Sequence, residues 1–130
     1  MLKTQRIIID TNALMAISEL SIDLFSAIEL CSDFPYDLSV LQGTIRELEE
    51  IFQTQRGKFR VAAKLALHVL GERIKKGVVE VLVEDGVVDD ILVKHSRCGD
   101  IILTQDVALK KRLKRPYMTI RQRTKVVVVA

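Results

Sequence analysis

Short apolar runs alternate along the chain with longer segments in which apolar residues recur every three or four positions. Runs bounded by polar or turn-forming residues are typical of buried strands in a parallel sheet. The predicted strands are residues 7–9, 37–41, 78–83, 101–104, 117–120 and, as a candidate edge strand, 126–129. Because strands that alternate with helices indicate βαβ units, we predict an α/β fold, a three-layer α/β/α domain around a central parallel sheet of about five strands.

The helical segments carry start and stop signals. The clearest segment, Lys58–Lys76, keeps one apolar face and is followed by Gly77, which suits the left-handed position after a helix. Thr44 and Glu47 have the spacing of a capping box, so they predict a helix that begins after Thr44. Gly57 is predicted to end that helix.

Composition narrows the class of protein. Of 130 residues, 48% are apolar and 28% are charged, which excludes an intrinsically disordered chain and allows a hydrophobic core. Cys31 and Cys98 form no CxxC pair, no apolar run is long enough to span a membrane, and the N-terminus does not resemble a signal peptide. We therefore expect a soluble, cytoplasmic protein that forms a single domain over residues 1–130, without a membrane partner.

The charge of the chain is distributed unevenly. Residues 1–50 carry three basic and nine acidic side chains, whereas residues 51–130 carry seventeen basic and eight acidic ones. No acid follows Asp106, and the basic residues beyond it are Lys110, Lys111, Arg112, Lys114, Arg115, Arg121, Arg123 and Lys125. A tail of one sign favours binding to a polyanion, although a solvated helix face with basic residues near a helix C-terminus explains the same pattern.

Acidic residues recur where predicted strands end and helices begin. Asp10 and Asp106 follow the first and fourth predicted strands, whose carboxyl ends meet at one edge of a parallel sheet. Glu47, Asp89 and Asp90 lie near the starts of two helices that can reach the same edge. Carboxylates gathered in this way repel one another unless a cation neutralises them, and Mg²⁺ or Mn²⁺ prefers oxygen ligands. This pattern favours a metal site that activates water and neutralises a phosphoryl group.

Each acid also has an ordinary structural explanation. Asp10 and Asp106 can cap the helices that follow them. Glu47 can be no more than a capping-box partner, and Asp89 and Asp90 suit the N-terminus of any helix. Other chemistries lack their signatures, since there is no nucleophile elbow, no GxGxxG and no P-loop. The few aromatic residues are spaced mostly like core residues, so base stacking is not predicted.

Four motifs follow one another along the chain: RIIIDTNALM (Arg6–Met15), SVLQGTIRELEEI (Ser39–Ile51), VDDILVKHS (Val88–Ser96) and IILTQDVALKKRL (Ile101–Leu113). In this order they resemble the motifs of the PIN-domain superfamily of metal-dependent nucleases. Together they extend over nearly the whole chain. The adjacent aspartates and the LKKRLKRP segment look more similar to archaeal and eukaryotic PIN proteins of ribosomal RNA processing than to toxin-type PIN nucleases.

The resemblance implies an endoribonuclease that hydrolyses RNA phosphodiester bonds with metal-activated water, in ribosomal RNA processing or as a toxin-type nuclease. The implied cofactor is Mg²⁺ or Mn²⁺. The implied catalytic acids and metal ligands are Asp10, Glu47, Asp90 and Asp106, with Asp89 in support. Asn12 and Thr104 are implied to orient the carboxylates or a bound water. The implied RNA-binding residues are Lys110, Lys111, Arg112, Lys114, Arg115, Arg121 and Arg123.

The resemblance also implies partners and leaves two alternative functions open. RNA is the implied substrate, and a homodimer and an antitoxin or ribosomal particle are further implied partners. The first alternative is a PIN-like module that binds RNA or serves as a scaffold without cleaving. The second is a Mg²⁺-dependent phosphatase of the haloacid-dehalogenase type, which also has an Asp after its first strand. Asp10-Thr11-Asn12 lacks the second Asp of that family's motif.

Overall fold

The computed structural model describes residues 3–130, in which strands and helices alternate. The strands are β1 (Gln5–Ile9), β2 (Tyr36–Leu41), β3 (Val79–Leu82), β4 (Ile101–Leu103), β5 (Tyr117–Arg121) and β6 (Lys125–Val129). The helices are α1 (Thr11–Glu19), α2 (Leu24–Cys31), α3 (Gln42–Thr54), α4 (Lys58–Lys75), α5 (Val88–Arg97) and α6 (Val107–Arg112). None of these described helices is long and apolar enough to cross a membrane. Met1 and Leu2, which belong to the predicted domain 1–130, lie outside the described residues.

The strands form one sheet in the order β3-β2-β1-β4-β5-β6. Neighbours from β3 to β5 are parallel, whereas β6 pairs antiparallel with β5. Gln122 and Arg123 adopt positive φ values of 54° and 62° in the turn between these two strands. Such a turn returns the chain directly beside β5, and an antiparallel partner needs no helical crossover. The predicted α/β fold is confirmed, with β6 as a sixth strand at the edge.

Helices cover both faces of the sheet, as predicted. On one face, α1 to α4 form a core in which Leu48 packs with Ile7 and Ile9. On the other face, α5 and α6 form a second core in which Leu92 packs with Ile8. Successive residues of β1 therefore point into alternate cores, and all three isoleucines are fully buried. Burial on both faces explains why this strand reads as a continuous apolar run.

The start of α3 differs from the prediction. β2 runs directly into α3, which begins at Gln42 without a side-chain cap, so the predicted capping box of Thr44 and Glu47 is absent. Thr44 lies inside the helix and is fully buried. Gly57 does not end α3 but precedes α4 with a φ of 63°. Because α3 begins at Gln42 directly after β2, Glu47 lies inside the helix and does not cap it. Its carboxyl group can therefore make another contact.

The order of the strands reverses beside β1. The chain adds β2 and β3 on one side of β1 and then crosses over through α5 to place β4 on the other side. In α/β sheets, ligands bind beyond the carboxyl ends of the strands at this switch point. Asp10 directly follows β1 and Thr104 directly follows β4. The topology therefore places both residues at the crevice of the sheet.

Candidate metal centre

A pocket of about 420 Å³ lies at the carboxyl edge of the sheet, where β1 and β4 end. Five acids line it: Asp10, Glu19, Glu47, Asp89 and Asp106. Asp10 follows β1, Glu19 ends α1, Glu47 lies in α3, Asp89 lies in the first turn of α5, and Asp106 precedes α6. The structure thus brings together acids from five parts of the chain, of which Glu19 was not indicated by the sequence.

Asp10 is the buried member of this group, with a relative exposure of 5%. Its Oδ1 accepts a hydrogen bond from the backbone N–H of Thr11 at 2.8 Å, and its Oδ2 accepts one from Thr104 Oγ1 at 2.8 Å. Burial raises the pKa of Asp10 more than these hydrogen bonds lower it, and the charges of Asp89 and Asp106 raise it further. The carboxyl group is therefore held in a fixed orientation, and no positive charge among the described residues lowers its pKa.

Glu47 is half-buried and carries an unpaired oxygen. Its Oε1 is buried without a hydrogen-bond partner among the described residues. Burial and the charge of Asp10 raise the pKa of Glu47. The hydroxyl of Thr11 lies near enough to lower this pKa in part, but its Oγ1 makes no well-oriented hydrogen bond. A buried carboxylate oxygen without a donor is a position at which a cation offsets the loss of hydration.

The adjacent aspartates at the start of α5 take different positions. Asp89 is half-buried and lines the pocket. Asp90 is exposed, is not part of the lining, and its Oδ1 accepts a hydrogen bond from Arg112 Nη2 at 2.7 Å. Consecutive helical residues point about 100° apart, so one of the two faces the acids and the other faces α6. The sequence favoured Asp90, whereas the structure brings Asp89 to the other acids.

A close contact between α3 and α5 positions Asp89. A Cβ atom on Gly43 would lie 2.7 Å from Val88 Cγ2, which is too close for a carbon–carbon contact. Glycine at this position lets the first turn of α5 approach α3, which carries Glu47. Sequence reasoning missed Gly43, because nothing near it in the chain indicates which side chain packs against it.

A hydrogen-bond network joins the residues that follow β1 and β4. Thr104 is fully buried, and its hydroxyl donates to Asp10 Oδ2 and accepts from the backbone N–H of Asp106 at 3.1 Å. Asn12 Oδ1 accepts from the backbone N–H of Gln105 at 2.9 Å. Asp10 and Asp106 also cap α1 and α6 through their side chains. The capping role and the position in the pocket are therefore compatible.

Apolar side chains also line the pocket. Met15, Ile51 and Phe59 lie there together with the five acids, Thr11 and Asn12. Phe59 is 46% exposed. Its helical spacing predicted a core residue, but it lies at the very start of α4 and is exposed. Phe59 is therefore an exception to the expectation that most of the aromatic residues belong to the core.

Some of the predicted RNA-binding residues lie near the pocket. Lys110 is close enough to Arg121 and Asp106 for their charges to interact, and burial together with Arg121 lowers the pKa of Lys110. Arg121 ends β5 and Arg123 lies in the following turn. Because β5 is parallel to β4, both arginines lie at the same edge of the sheet as Asp106.

Other predicted RNA-binding residues lie elsewhere. Lys114 and Arg115 precede β5 and therefore lie at the opposite edge of the sheet. Arg112 is paired with Asp90, and Lys111 is exposed in the last turn of α6. The basic segment is continuous in the sequence, but the strand β5 separates its members in space.

The acids that line the pocket do not form a closed metal site in the part of the chain that the structure describes. Over residues 3–130, no three His, Cys, Asp or Glu side chains converge closely enough to hold a metal ion. The donor set nevertheless fits Mg²⁺ or Mn²⁺, since these ions prefer carboxylate oxygens and retain water ligands. Glu47 Oε1 is buried without a hydrogen-bond partner among the described residues, and the pKa of Asp10 is raised. Both observations indicate that the pocket lacks positive charge.

Comparison with known proteins identifies relatives of this fold. A family model described as "PIN like domain" matches residues 7–124. Among solved structures, the chain is similar to the PIN domain endonuclease Utp24, with a TM-score of 0.70 and 23% sequence identity. The match covers 95% of this chain and 90% of that chain. No curated protein matches the sequence significantly. At this identity, the structural similarity establishes the shared fold.

Proposed function

This chain belongs to the PIN-like domain family, and from that premise we propose that it is a divalent-metal-dependent endoribonuclease. The reaction is hydrolysis of an RNA phosphodiester bond by metal-activated water. The observation that carries the proposal is the pocket in which Asp10 is buried and Glu47 Oε1 is unpaired. A fold does not specify a chemistry, whereas clustered acids with raised pKa values at a crevice are typical of a reactive site.

The proposed metal ligands are Asp10, Glu47, Asp89 and Asp106, and the proposed ion is Mg²⁺ or Mn²⁺. Asp89 replaces Asp90 as the ligand from α5, because Asp89 lines the pocket whereas Asp90 is exposed and paired with Arg112. When bound, such an ion supplies a water of lowered pKa and positive charge beside the phosphate.

The other residues of the site orient these acids and the substrate. Thr104 and the backbone N–H of Thr11 hold both oxygens of Asp10, so the carboxylate does not have to reorganise when it binds a cation. Asn12 is held through its Oδ1, which leaves its amide NH₂ to donate to a water or a phosphate oxygen. Lys110 and Arg121 provide positive charge for the phosphates that flank the cleaved bond.

The test is cleavage of labelled single-stranded and stem-loop RNA with Mn²⁺, with Mg²⁺ and with EDTA. The wild type is compared with Asp10→Asn, Asp89→Asn and Asp90→Asn. We expect metal-dependent cleavage that falls by about 100-fold or more in the first two variants, since each removes a ligand charge. Asp90→Asn is the matched control, and its rate is expected to stay within a few-fold of wild type, because an exposed ion pair contributes little.

Two outcomes of this test would contradict the proposal. Equal cleavage by wild type and Asp10→Asn would identify a contaminating ribonuclease. Loss of cleavage in Asp90→Asn with full activity in Asp89→Asn would exchange the roles of the two aspartates.

A non-cleaving RNA-binding module is the second candidate function. The open arrangement of the acids favours it, because no three of the metal-binding side chain types converge within residues 3–130. Salt-sensitive RNA binding without cleavage in either metal would support this candidate. Utp24 is described as an endonuclease, and the similarity to it favours the first. A role in ribosomal RNA processing or as a toxin, a homodimer, and an antitoxin or ribosomal particle as partner stay predictions.

A further inference from the structure

Phe59 has an unusual position for an aromatic residue. Among the large hydrophobic side chains of residues 3–130 that are exposed, it is the one aromatic. It is the second residue of α4 and lines the same pocket as Asp10 and Glu47. An exposed ring beside a cluster of acids is available to a ligand that enters the pocket.

The start of α4 is attached to α3 by contacts that do not involve the Phe59 ring. The guanidinium of Arg60 lies 4.0 Å from the centroid of the Phe52 ring. Arg60 also donates a hydrogen bond to the backbone oxygen of Phe52 at 2.6 Å. Arg60 and Phe52 therefore connect α4 to α3 without the Phe59 ring.

The pocket is lined by both acidic and apolar side chains. Asp10 and Glu47 are among the acids, and Met15, Ile51 and Phe59 are the apolar residues. A nucleotide likewise combines a charged phosphate with a flat base. Proteins that recognise single-stranded RNA commonly stack its bases on aromatic side chains.

A cation adjoins the ring. The Nζ atom of Lys58 lies 5.4 Å from the centroid of Phe59, within the range of a cation–π contact. Lys58 is exposed, so its long side chain can move from the ring to the phosphate that follows a base stacked there. The ring can contact the base of a nucleotide, and the ammonium group can contact its phosphate.

We propose that Phe59 stacks on the base of the nucleotide next to the cleaved phosphodiester bond, an inference that rests on the proposed nuclease function. Both faces of a base in a duplex are covered by its neighbours, so this contact requires an unpaired, unstacked nucleotide. The protein therefore selects single-stranded segments through Phe59, in addition to the electrostatic attraction of its basic residues. Purines have the larger stacking surface and are preferred at this position.

The contact is tested directly by fluorescence. The sequence contains no tryptophan, so Phe59→Trp introduces a single indole at the proposed contact. The substitution is made together with Asp10→Asn to prevent cleavage, and single-stranded RNA is added. We expect the indole emission to be quenched on binding. Val61→Trp in the same background is the matched control, because Val61 is 59% exposed on α4 but does not line the pocket.

A second variant measures what the ring contributes. Phe59→Leu keeps an apolar side chain and removes the flat ring, so we expect the Kd for single-stranded RNA to rise roughly 5- to 150-fold. For an otherwise identical strand that lacks the base at one position, we expect Phe59→Leu to bind almost as tightly as wild type, since the phosphates of the strand are unchanged. Thermal unfolding and circular dichroism verify that Phe59→Leu is folded, and the loss is expected in KM more than in kcat.

Equal quenching in Phe59→Trp and Val61→Trp would overturn the inference. So would the same loss of affinity by Phe59→Leu for the normal strand and the base-free strand. The fluorescence does not depend on cleavage, so the two proposals fail separately. Selective quenching without cleavage in any metal would support the stacking contact and refute the nuclease function. Cleavage by the wild type without quenching in Phe59→Trp would support the nuclease function and refute the stacking contact.

Discussion

At the scale of single residues, the hydroxyl of Thr104 links the two halves of the site. It donates to Asp10 Oδ2 and accepts from the backbone N–H of Asp106, and it is fully buried between them. This one side chain therefore orients an acid that follows β1 and the backbone that leads into α6. The threonine hydroxyl also lowers the pKa of Asp10 against the effect of burial.

Thr104→Val tests this link, because valine keeps the shape of threonine and removes the hydroxyl. Asp10 Oδ2 and the Asp106 N–H lose their partner, so the free energy of unfolding should fall by about 1–3 kcal/mol in urea denaturation. Affinity for Mg²⁺ should fall roughly 10-fold by calorimetry. Since the lost donor raises the pKa of Asp10, protons compete with the metal more strongly as the pH falls.

Thr104→Ser is the control for this variant, because it keeps the hydroxyl. It is expected to retain most of the metal affinity. Wild-type affinity in Thr104→Val would show that the hydroxyl does not orient Asp10.

At the scale of elements, the site depends on the distance between α3 and α5. These helices carry Glu47 and Asp89, and their first turns meet where Gly43 contacts Val88. Neither helix has a side-chain cap that would fix its start independently. The close approach at Gly43 therefore determines how near the carboxylate from α5 lies to the carboxylate from α3.

Gly43→Ala should disturb the site through this contact. The added Cβ would lie 2.7 Å from Val88 Cγ2, so α5 must shift or Val88 must change rotamer. Overpacking lowers the free energy of unfolding by about 1–3 kcal/mol, whereas the better helix propensity of alanine raises it by at most about 1 kcal/mol. We expect a net loss in the free energy of unfolding and slower metal-dependent cleavage.

Gly43→Ala combined with Val88→Ala separates this mechanism from a general loss of stability. The second substitution removes the Cγ atoms that the new Cβ meets, so cleavage should recover in the double variant. A double variant that is as slow as Gly43→Ala alone would show that the contact does not position Asp89.

At the scale of the whole molecule, the basic residues that follow Asp106 are divided between the two ends of the strands. The acids of the pocket lie at the carboxyl edge of the sheet, with Lys110 and Arg121 beside Asp106. Lys114 and Arg115 lie before β5, about 15 Å away along a five-residue strand. We therefore expect an RNA strand at the pocket to contact the first pair rather than the second.

The salt dependence of RNA binding distinguishes these two basic pairs. Lys110→Ala with Arg121→Ala should weaken binding and reduce the slope of log K against log salt by about 1.4, as expected for two lost contacts to single-stranded phosphates. Lys114→Ala with Arg115→Ala removes the same charge at the other edge and should leave the slope nearly unchanged. Equal slopes for the two variants would show that the RNA does not bind preferentially beside Lys110 and Arg121.

Several features of this molecule were predicted from sequence. The strand at residues 7–9 and helix α4 carried strong patterns, because burial imposes periodicity on neighbouring residues. The PIN-domain resemblance is confirmed by the family match over residues 7–124. Asp10 and Asp106 were expected at one edge of the sheet, since the carboxyl ends of parallel strands share it. The start of α3 was predicted wrongly, because capping residues do not mark a helix that continues directly from a strand.

The sequence by itself determined the alternation of strands and helices, the family and the position of Asp10 and Asp106 after two strands, since each depends on residues that are near one another in the chain or on motif order. Only the tertiary structure decided which of Asp89 and Asp90 faces the pocket, and that Phe59 is exposed beside it. It also separated Lys110 from Lys114, which are four residues apart in sequence. These outcomes depend on how helices rotate and pack against partners distant in sequence, and no local pattern contains that information.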